Sequence, residues 1–536
     1  MKRLIVLIIM VLSNTVIHSQ GISDALRYSQ DNLNGTARFS AMSGAFGALG
    51  GDLSSLNVNP AGSAVFSNNQ MAVTLSNNSI KNNSNYFGTT SFDSNNSFDL
   101  NQAGGVFIFK TQDPKNDWKK IAFAINYDKT NNYDNAMFSA GTNPTNSVDG
   151  YFLYYANTGN GGAPIPQEFV NRNDGESIND LYSYLGSMQI EQYPELSGFA
   201  AQQAMMAFYK QGYIIDAADL NNPNSSYVSL VRPGGNYYQE NSISANGYNG
   251  KLSFNAATSY QDKLYLGVNL NSHFTDYTQS SSFYEDNDTP LTSEYTVTKL
   301  RFDNDLLTYG TGFSFQLGAI AKASKEIRLG LAYESPTWYI LNDELSQSLR
   351  VVSSKTGAND TDDRVDPQVT NIYAPYKLQT PSKTTLSFAY IFGKSGLISV
   401  DYAIKDYGNT QFKPKNEFSN TNTGMTNLLN QSGEFRFGCE YKIEAWSLRA
   451  GYRFEQSPYK NKNTMGDLTG NSVGIGYNFG STKLDLSYTA TQRDSNPRFF
   501  DQGYFDEEFK GFKGFTDGAL INTTINTITA TLLFEL

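Results

Sequence analysis

Cysteine and histidine are almost absent from this 536-residue chain, which contains one Cys and two His. The single cysteine, Cys439, cannot form an internal disulfide framework. His18 lies in a terminal segment that we expect to be removed, which leaves His273 as the only imidazole of the mature chain. The sequence therefore predicts no histidine-rich metal site and no cofactor, and we expect a protein that is not an enzyme.

Long apolar runs are also scarce, because after residue 20 no run approaches the length of about 18 residues that a membrane-spanning helix needs. The beginning of the chain is different, since two cations precede an unbroken apolar run over residues 4–12. The small residue Ser19 follows, and this pattern is typical of a secretory signal peptide over residues 1–20. We therefore expect an exported protein without helical membrane spans.

Basic residues are outnumbered by acidic residues. Removing Lys2 and Arg3 from the 40 basic residues leaves 38 against 51 acidic ones, a net charge of −13. The chain has no basic cluster, so we expect no nucleic acid as partner. The acidic stretch NDTDDRVD, residues 359–366, lacks the glycine and ligand spacing of an EF-hand. We expect a solvated loop there, and no metal site.

Aromatic residues are abundant by contrast, since 35 Tyr and 35 Phe bring the aromatic content to 14%. In residues 434–443, EFRFGCEYKI, and in residues 446–454, WSLRAGYRF, every second residue is apolar and its neighbours are polar or Gly. This period-two alternation is typical of strands with one apolar and one polar face. Transmembrane β-barrels have such a composition because only every second residue meets lipid.

The same alternation predicts fourteen strands, at 71–80, 101–111, 118–129, 248–260, 263–278, 310–323, 326–350, 370–393, 396–410, 432–443, 445–457, 470–479, 482–492 and 523–536. Their connections alternate between short links of a few residues and long polar loops, which fall at 81–100, 130–247, 279–309, 351–369, 411–431, 458–469 and 493–522. Outer-membrane barrels have short periplasmic turns and long external loops. We therefore expect residues 69–536 to form an all-β, 14-stranded antiparallel transmembrane β-barrel, with both chain ends on the periplasmic side.

Two features of the predicted strands support this interpretation. The chain ends on TITATLLFEL, an amphipathic strand with an aromatic residue, Phe534, near its end. This resembles the signal read by the barrel-assembly machinery, an expected partner during biogenesis. Charged residues occupy the polar faces of the strands, as at Arg436, Arg449, Arg453, Asp401 and Asp485. A charge that faced lipid would cost ~2–4 kcal/mol at mid-membrane. We expect these charges in the lumen, solvated or paired.

Residues 21–68 precede the first predicted strand and are rich in Gly, Ala and Ser. A compact segment of this kind suits a plug for a barrel of fourteen strands. The stretch ARFSAMSGAFGALGGDLSSLNVNPAG, residues 37–62, resembles the N-terminal hatch of the FadL/TodX family of outer-membrane transporters of long-chain fatty acids and other hydrophobic compounds. The family's Asn-Pro-Ala element matches Asn59, Pro60 and Ala61. The sequence of this stretch resembles that of family members from Bacteroidetes-type bacteria.

The resemblance implies a passive channel in the outer membrane. External loops capture the ligand, which moves to a pocket in the lumen. Movement of the hatch, for which Asn59, Pro60 and Ala61 are the gating candidates, opens a path that leads sideways into the bilayer at a kinked strand. The pair Gly104-Gly105 in the second strand is the better candidate for a bulge there. The implied partners are a hydrophobic small molecule of the long-chain fatty acid class and the surrounding lipid and lipopolysaccharide, and we expect a monomer.

The longest predicted loop, 130–247, breaks the period-two pattern. Apolar residues there have helical spacing, with Pro194 between two predicted helices: Leu181, Leu185 and Met188, then Phe199, Met205, Met206 and Phe208. Flexible Met and aromatic surfaces suit variable apolar ligands, so Phe199, Met205 and Phe208 are candidate substrate-binding residues. The alternative is that these residues only pack the loop against the barrel rim.

The sequence is also compatible with three other functions. PorV-like proteins of the type 9 secretion system share the FadL-type barrel but shuttle secreted proteins, and the long loop suits that role too. A haemin receptor needs axial ligands, for which this chain offers one histidine. A hydrolase needs a Ser or an acid beside His273. His273 follows Asn269 and Asn271 at every second position of the strand, so we expect it on the same, lumen-facing side.

Overall fold

The computed structural model describes residues 20–187, 195–500, 515 and 517–536. The predicted signal peptide lies outside the described residues except for Gln20, as do Met188 and Pro194. Among the described residues, no helix has both the length and the apolar character that a membrane crossing requires.

Fourteen antiparallel strands form the barrel, and the first pairs with the last from Gln70–Glu535 to Asn85–Leu520, which closes it. The predicted fold class is therefore confirmed. The strands are β1 Gln70–Tyr86, β2 Thr89–Lys110, β3 Trp118–Asn132 with Asn135–Asn143, β4 Tyr237–Tyr260, β5 Leu264–Asn287, β6 Thr296–Lys322, β7 Ile327–Glu334 with Trp338–Ser354, β8 Thr361–Val365 with Thr370–Ile372, Tyr376–Gln379 and Lys383–Phe392, β9 Gly396–Asp406 with Gln411–Lys413, β10 Gln431–Ile443, β11 Trp446–Glu455, β12 Met465–Asn478, β13 Thr482–Ser495 and β14 Leu520–Glu535.

One end of the barrel carries only short turns, at 111–117, 261–263, 323–326, 393–395, 444–445 and 479–481, and we call it the turn end. At the opposite, loop end the strands extend further than predicted. The predicted loop 81–100 is a hairpin whose turn is Phe87-Gly88, both at positive φ. The other predicted loops shorten to 144–236, 288–295, 355–360, 414–430, 456–464 and 496–519. Beyond the membrane both strand faces are polar, so the period-two signal disappears although the ladder continues.

Outward-facing apolar side chains form a band around the barrel. Leu331, Val473 and Ile125 in this band are each about half exposed. Aromatic residues mark its edges, with Trp118 and Trp446 near the turn end and Tyr309 near the loop end. Such a band between aromatic girdles is the lipid-facing surface of an outer-membrane barrel.

The lumen contains the predicted charges, four of them in two ion-pair clusters. Arg449 lies 2.6 Å from Glu440 and 2.5 Å from Asp485, and Arg453 lies 3.0 Å from Glu434, which also pairs with Arg436. The charged residues named from the sequence are all at most 9% exposed, which confirms that they face inward: Arg436, Arg449, Arg453, Asp401 and Asp485. Pairing offsets the cost of removing the four paired charges from water, whereas Asp401 accepts the N–H of Gly47.

The connection between β3 and β4 folds into a small domain at the loop end. Its helices are Asp149–Thr158, Ile178–Ser187 and Gly198–Ala207, and a short hairpin pairs Ile215–Ala217 with Tyr227–Ser229. These elements bury an apolar core together with Phe283 of β5. We call residues 144–236 the loop domain.

Candidate functional site

The hatch segment, residues 21–68, runs inside the barrel. Its first helix, Ile22–Ser29, packs against Tyr339 and Tyr376 of the wall near the loop end. Gln20, which precedes this helix, donates a hydrogen bond to Asp343 at 2.5 Å. The expectation that the chain starts on the periplasmic side is therefore wrong for the described residues. The segment begins in the loop-end half of the lumen and descends to the turn end before β1.

The lower part of the hatch segment folds into short turns of helix. These are Ala37–Ala41, Leu53–Asn57 and Pro60–Val65, each preceded by a residue whose side chain accepts a backbone N–H: Thr36, Asp52 and Asn59. Such caps satisfy donors that a short helix leaves open, which matters in a lumen where little water is available. Small residues allow the turns to pack closely on one another.

Asn59 connects the hatch segment to the wall. Its Oδ1 accepts from the N–H of Ala61 at 3.1 Å, and its Nδ2 donates to the carbonyls of Gly47 at 2.8 Å and Ala319 of β6 at 3.0 Å. Pro60 occupies the first position of the following turn, where its missing N–H and fixed φ are tolerated. The structure thus brings the predicted gating residues together in one buried contact with the barrel.

Glycines in the wall make room for this contact. A Cβ at Gly318 would overlap Asn59 Oδ1, and a Cβ at Gly267 would overlap the backbone of Pro60. On β7, a Cβ at Gly330 would overlap the carbonyl of Gly47. A larger inward-facing residue lies two positions before or after each of these glycines. The hatch segment therefore lies in a shallow recess of the wall.

An ion pair holds the other side of the hatch segment. Arg38 Nε lies 2.8 Å from Glu440 of β10, which is also paired with Arg449 of β11. Gly47 N donates to Asp401 of β9 at 3.0 Å. The hatch segment therefore contacts separate parts of the wall, on β6, β9 and β10, through directed polar bonds.

The wall itself is interrupted between β2 and β3. Their pairing begins at the turn end with Lys110–Lys120 and stops at Gln102–Asp128. On the loop-end side of this last pair, β2 has an extra residue, Asn101, opposite the Thr74–Leu75 step of β1. We call the gap between residues 89–101 of β2 and 129–143 of β3 the seam.

Above the bulge the two strands take different partners. The upper part of β2 pairs only with β1, and the upper part of β3 pairs only with β4. Four side-chain contacts bridge the seam. Lys129 lies 2.8 Å from Asp99, and Asn132 Nδ2 donates to Ser97 at 2.7 Å and to Asp99 at 3.4 Å. Ser91 Oγ donates to the carbonyl of Phe138 at 2.7 Å. The bulge lies three residues above Gly104, close to the position predicted from Gly104-Gly105. The irregularity of β3 at Thr130 had no Gly or Pro to signal it.

A central cavity of about 80 Å³ lies between the hatch segment and the wall at this level. Besides Tyr28, Leu33, Phe39 and Val58, its lining includes ten charged side chains: Lys129, Lys251, Lys383, Lys405, Arg436, Asp31, Asp128, Glu334, Asp401 and Glu434. A pocket for a purely apolar ligand would be lined mostly by apolar side chains. This cavity is instead strongly polar.

Comparison with known proteins agrees with this architecture. Residues 241–503, just under half of the chain, match the outer membrane protein transport protein family (OMPP1/FadL/TodX). A crystal structure of a Pseudomonas aeruginosa FadL homologue superimposes with a TM-score of 0.51 at 12% identity, covering 95% of this chain and 99% of that one. The predicted resemblance to the FadL/TodX family is confirmed.

Two other solved structures are similar to this chain. The Pseudomonas putida toluene transporter TodX gives a TM-score of 0.48 at 11% identity, with 95% of this chain and 100% of that one covered. The Ralstonia pickettii toluene transporter TbuX gives 0.44 at 12% identity, with 94% and 99% covered. No curated protein matches the chain. Nothing in these comparisons bears on the predicted Bacteroidetes-type origin.

The candidate ligand-binding residues of the loop domain lie apart from the hatch segment. Met205 and Phe208 are fully buried in the loop-domain core, whereas Phe199 is half-buried and packs edge-on against Tyr155 at 5.4 Å. The helical spacing correctly placed two helices here, but it could not tell a buried face from a ligand-facing one. A role of these residues in ligand binding stays a prediction.

His273 faces the lumen in this FadL/TodX-type barrel. Its Nε2 lies 2.9 Å from Ser314 Oγ and its Nδ1 lies 3.4 Å from the hydroxyl of Tyr339. Both ring nitrogens are thus engaged, and haem ligation would require breaking one of these contacts. Among the described residues no three His, Cys, Asp or Glu side chains are grouped as a metal site.

A buried carboxyl group fixes the loop domain to the barrel. Glu285 accepts hydrogen bonds from Ser147 Oγ, the N–H of Val148 and Gln239 Nε2 at 2.5, 2.9 and 2.7 Å. Glu285 lies eleven residues closer to the loop end than Phe274 on β5. At Glu285 the outward face of the strand is already polar, so this residue is outside the membrane-spanning part. Burial raises the pKa of Glu285 from 4.5 to about 7.

Proposed function

We propose that this protein is an outer-membrane channel for passive uptake of hydrophobic small molecules, which leave it sideways through the seam. The observation that supports this most strongly is the end of β2–β3 pairing at Gln102–Asp128. A barrel normally closes every strand edge because unpaired backbone groups are unfavourable beside lipid. An interrupted ladder in the wall therefore suggests a passage.

The seam is suited to opening. Its bridges are one ion pair, Lys129–Asp99, and side-chain hydrogen bonds from Asn132 and Ser91, so parting the two strands breaks no ladder bond. On the outer face of β2, Phe98 and Leu100 are 69% and 45% exposed and border the seam. An apolar ligand that leaves through the seam passes from the apolar surface of β2 to the apolar interior of the bilayer, and it does not cross the polar head-group layer.

We further propose that residues 21–68 act as the hatch and that Asn59, Pro60 and Ala61 hold it closed. The bond of Asn59 to Ala319 supports this, because it must break before the segment can move from β6, and the bond to Gly47 holds the turn to the rest of the segment. The seam offers a lateral way from the lumen to the bilayer. Release of the signal peptide, insertion by the barrel-assembly machinery, contact with lipopolysaccharide and a monomeric state remain our predictions.

Long-chain fatty acids are the ligand class that the resemblance suggests. We propose a transporter in preference to an enzyme, because His273 contacts Ser314 and Tyr339 but no carboxylate that would complete a triad. No feature of the described residues specifically favours the PorV-like or haemin-receptor alternatives. Identifying what co-purifies with the barrel in mild detergent distinguishes all three.

The direct test is uptake of radiolabelled palmitate by a Gram-negative host that lacks its own carrier. Cells that make this protein should accumulate label faster than cells with an empty vector, at equal amounts of folded barrel. A second variant, Gly267→Val, whose Cβ meets Pro60, should displace the hatch segment without touching the seam and should therefore change uptake per folded barrel. Equal uptake with and without the wild-type barrel, for palmitate and for an alkane, would contradict the proposed function.

A further inference from the structure

An apolar groove lies on the outer face of the barrel, near the turn end. It extends from β8 to β11 and has a volume of about 580 Å³. Its lining includes Phe392, Ile398, Cys439, Tyr441 and Ala450, all at outward-facing positions of their strands. This volume is in the range of about 300–1,000 Å³ that is usual for sites that hold an organic ligand. We call this concave surface the outer groove.

Short side chains at outward positions produce the outer groove. Ile398, Cys439 and Ala450 are paired in register across β9, β10 and β11, so they form one row. Two residues closer to the turn end, Tyr441 and Leu448 are paired and are 57% and 46% exposed. Cys439 and Ala450 are smaller than the aromatic and branched side chains that surround them on this face, so the surface is indented at their row.

Lipid covers the outer groove in a membrane. Cys439 is four residues from Ile443, which pairs with Trp446 of the turn-end aromatic edge. Four residues span about 13 Å along a strand, so the groove lies at the level of acyl chains close to their head groups. An unfilled apolar indentation loses dispersion contacts and attracts no water. Short turns face the periplasm in outer-membrane barrels, so the covering molecules are phospholipids of the inner leaflet.

Two lysines lie at the turn-end rim of the outer groove. Lys394 follows Phe392 in an exposed turn and, among the described residues, makes neither an ion pair nor a hydrogen bond. The N–H of Lys442 donates to the carbonyl of Ser395 at 2.7 Å, which places the two lysines on neighbouring strand ends. The Lys442 side chain is 52% exposed and lies 3.8 Å from Glu440, a carboxylate that is already paired with arginine. Positive charge is therefore available at this rim.

The turn end as a whole is basic, although the chain is acidic. It carries ten lysines against six acidic side chains, counted over residues 110–120, 261–263, 322–326, 393–395, 442–447, 478–483 and 535–536. Lysines at the level of the head groups attract anionic lipids. The charge of this surface is thus complementary to a phospholipid with a net negative head group.

We propose that the outer groove binds one anionic phospholipid of the inner leaflet. An acyl chain packs on Cys439 and Ala450, and the phosphate group accepts hydrogen bonds from Lys394 and Lys442. The groove is on β8 to β11, whereas the seam separates β2 from β3 on the other side of the barrel. The bound lipid is therefore distinct from the transported ligand, and this inference does not depend on the proposed transport function.

Native mass spectrometry of the full barrel in detergent tests the head-group assignment, with phosphatidylglycerol and phosphatidylethanolamine of identical acyl chains as probes. Wild type should retain one phosphatidylglycerol more tightly than phosphatidylethanolamine. Lys394→Met should weaken phosphatidylglycerol binding by roughly fivefold, the effect expected of one lysine beside an anionic head group. The matched control is Lys115→Met, which lies in the exposed turn between β2 and β3 and should change nothing.

The apolar part of the site is tested by filling it. Ala450→Phe places a ring in the outer groove and should weaken binding of both phospholipids. Val473→Phe is the matched control, because Val473 pairs with Ala450 on the next strand but does not line the groove. Heat-modifiable gel mobility confirms that each variant is folded.

Cys439, the single cysteine of the chain, reports directly on the groove. Phosphatidylglycerol should slow its alkylation by N-phenylmaleimide more than phosphatidylethanolamine does at equal concentration. In the control, Cys439→Ser with Leu270→Cys, the thiol lies on the outer face of β5 and both lipids should protect it equally.

The outcomes decide between the two parts of the site. Equal binding of the two lipids by wild type, or unchanged phosphatidylglycerol binding in Lys394→Met, overturns the anionic head-group assignment. If Ala450→Phe retains lipid as Val473→Phe does, and lipid does not slow alkylation of Cys439, the outer groove is not the site. Each of these results leaves the transport function standing, which palmitate uptake measures separately.

Discussion

Replacing Asn59 with Ala removes the side chain that links the hatch segment to both itself and the wall. The change eliminates hydrogen bonds to the Gly47 and Ala319 carbonyls and from the Ala61 N–H, with lengths of 2.8, 3.0 and 3.1 Å. It leaves the β-strands untouched, since Asn59 lies before β1. We therefore expect a normally folded barrel with a less firmly held hatch.

The size of the effect follows from these bonds. A neutral hydrogen bond contributes about 1 kcal/mol net. Of the three bonds only the one to Ala319 joins the segment to the wall, so its loss shifts the ratio of open to closed barrels by roughly fivefold, while loss of the other two loosens the segment itself. Asn59 is 1% exposed, so water does not replace the lost partners without rearrangement of the segment.

Hydrogen exchange and uptake measure this prediction together. In Asn59→Ala, amides of residues 36–66 should exchange faster than in wild type, and ligand uptake per folded barrel should change. The control is Asn68→Ala, because Asn68 is exposed and lies outside the recess. If exchange and uptake both match wild type, Asn59 does not hold the hatch and the reasoning is refuted. If assembly falls in parallel with uptake, the turn only leads the chain into β1.

Three further predictions follow from other contacts. Gly318→Val should loosen the hatch as Asn59→Ala does, because its Cβ overlaps Asn59 and comes within 2.7 Å of Pro60, and faster hydrogen exchange in the same segment measures this. Attachment of the loop domain, measured by protease resistance, should weaken as pH rises from about 5 to 7.5. The pKa of Glu285 is raised from 4.5 to about 7 in the folded state, so folding favours the protonated form, and Glu285→Gln should abolish this pH dependence. Changing Met205 and Phe208 together to Ser should destabilise the loop domain by at least ~3 kcal/mol, seen as earlier thermal unfolding, since both are fully buried in its core.

The membrane-spanning strands were predictable because lipid imposes one apolar face. In β10 and β11 the alternation continues from Phe435 to Phe454 on the outer face, with paired charges on the inner face, and the structure follows it. Beyond the membrane that constraint ends. Residues 81–100, rich in Asn and Ser, gave no period-two signal, yet they form the longest part of the β1–β2 hairpin.

The hatch contact was only partly predictable. The Asn59-Pro60-Ala61 sequence indicated a tight turn, but Gly267, Gly318 and Gly330, which make room for it, are more than two hundred residues away. Considered alone, each glycine would be interpreted as an ordinary strand irregularity. Their shared role, making room for the hatch segment, becomes apparent only from the register of the barrel strands.

A pocket in the lumen was expected from the family resemblance, but its lining could not be inferred. Asp128, Lys251 and His273 lie on three strands separated by a 93-residue loop domain and a turn, and only the register aligns them. From the sequence alone these residues could only be interpreted as general lumen residues, because their alignment depends on strand register that no local pattern specifies.

Lateral release through the seam is the central claim, and a reversible lock tests it most directly. In a Cys439→Ser background, Ser97→Cys with Asn132→Cys replaces a 2.7 Å contact across the seam with a disulfide. The matched control is Ser487→Cys with Thr529→Cys, on the paired strands β13 and β14. We expect oxidation to stop uptake in the seam variant alone, and reductant to restore it. Uptake at the wild-type rate through a fully oxidised seam would contradict the account.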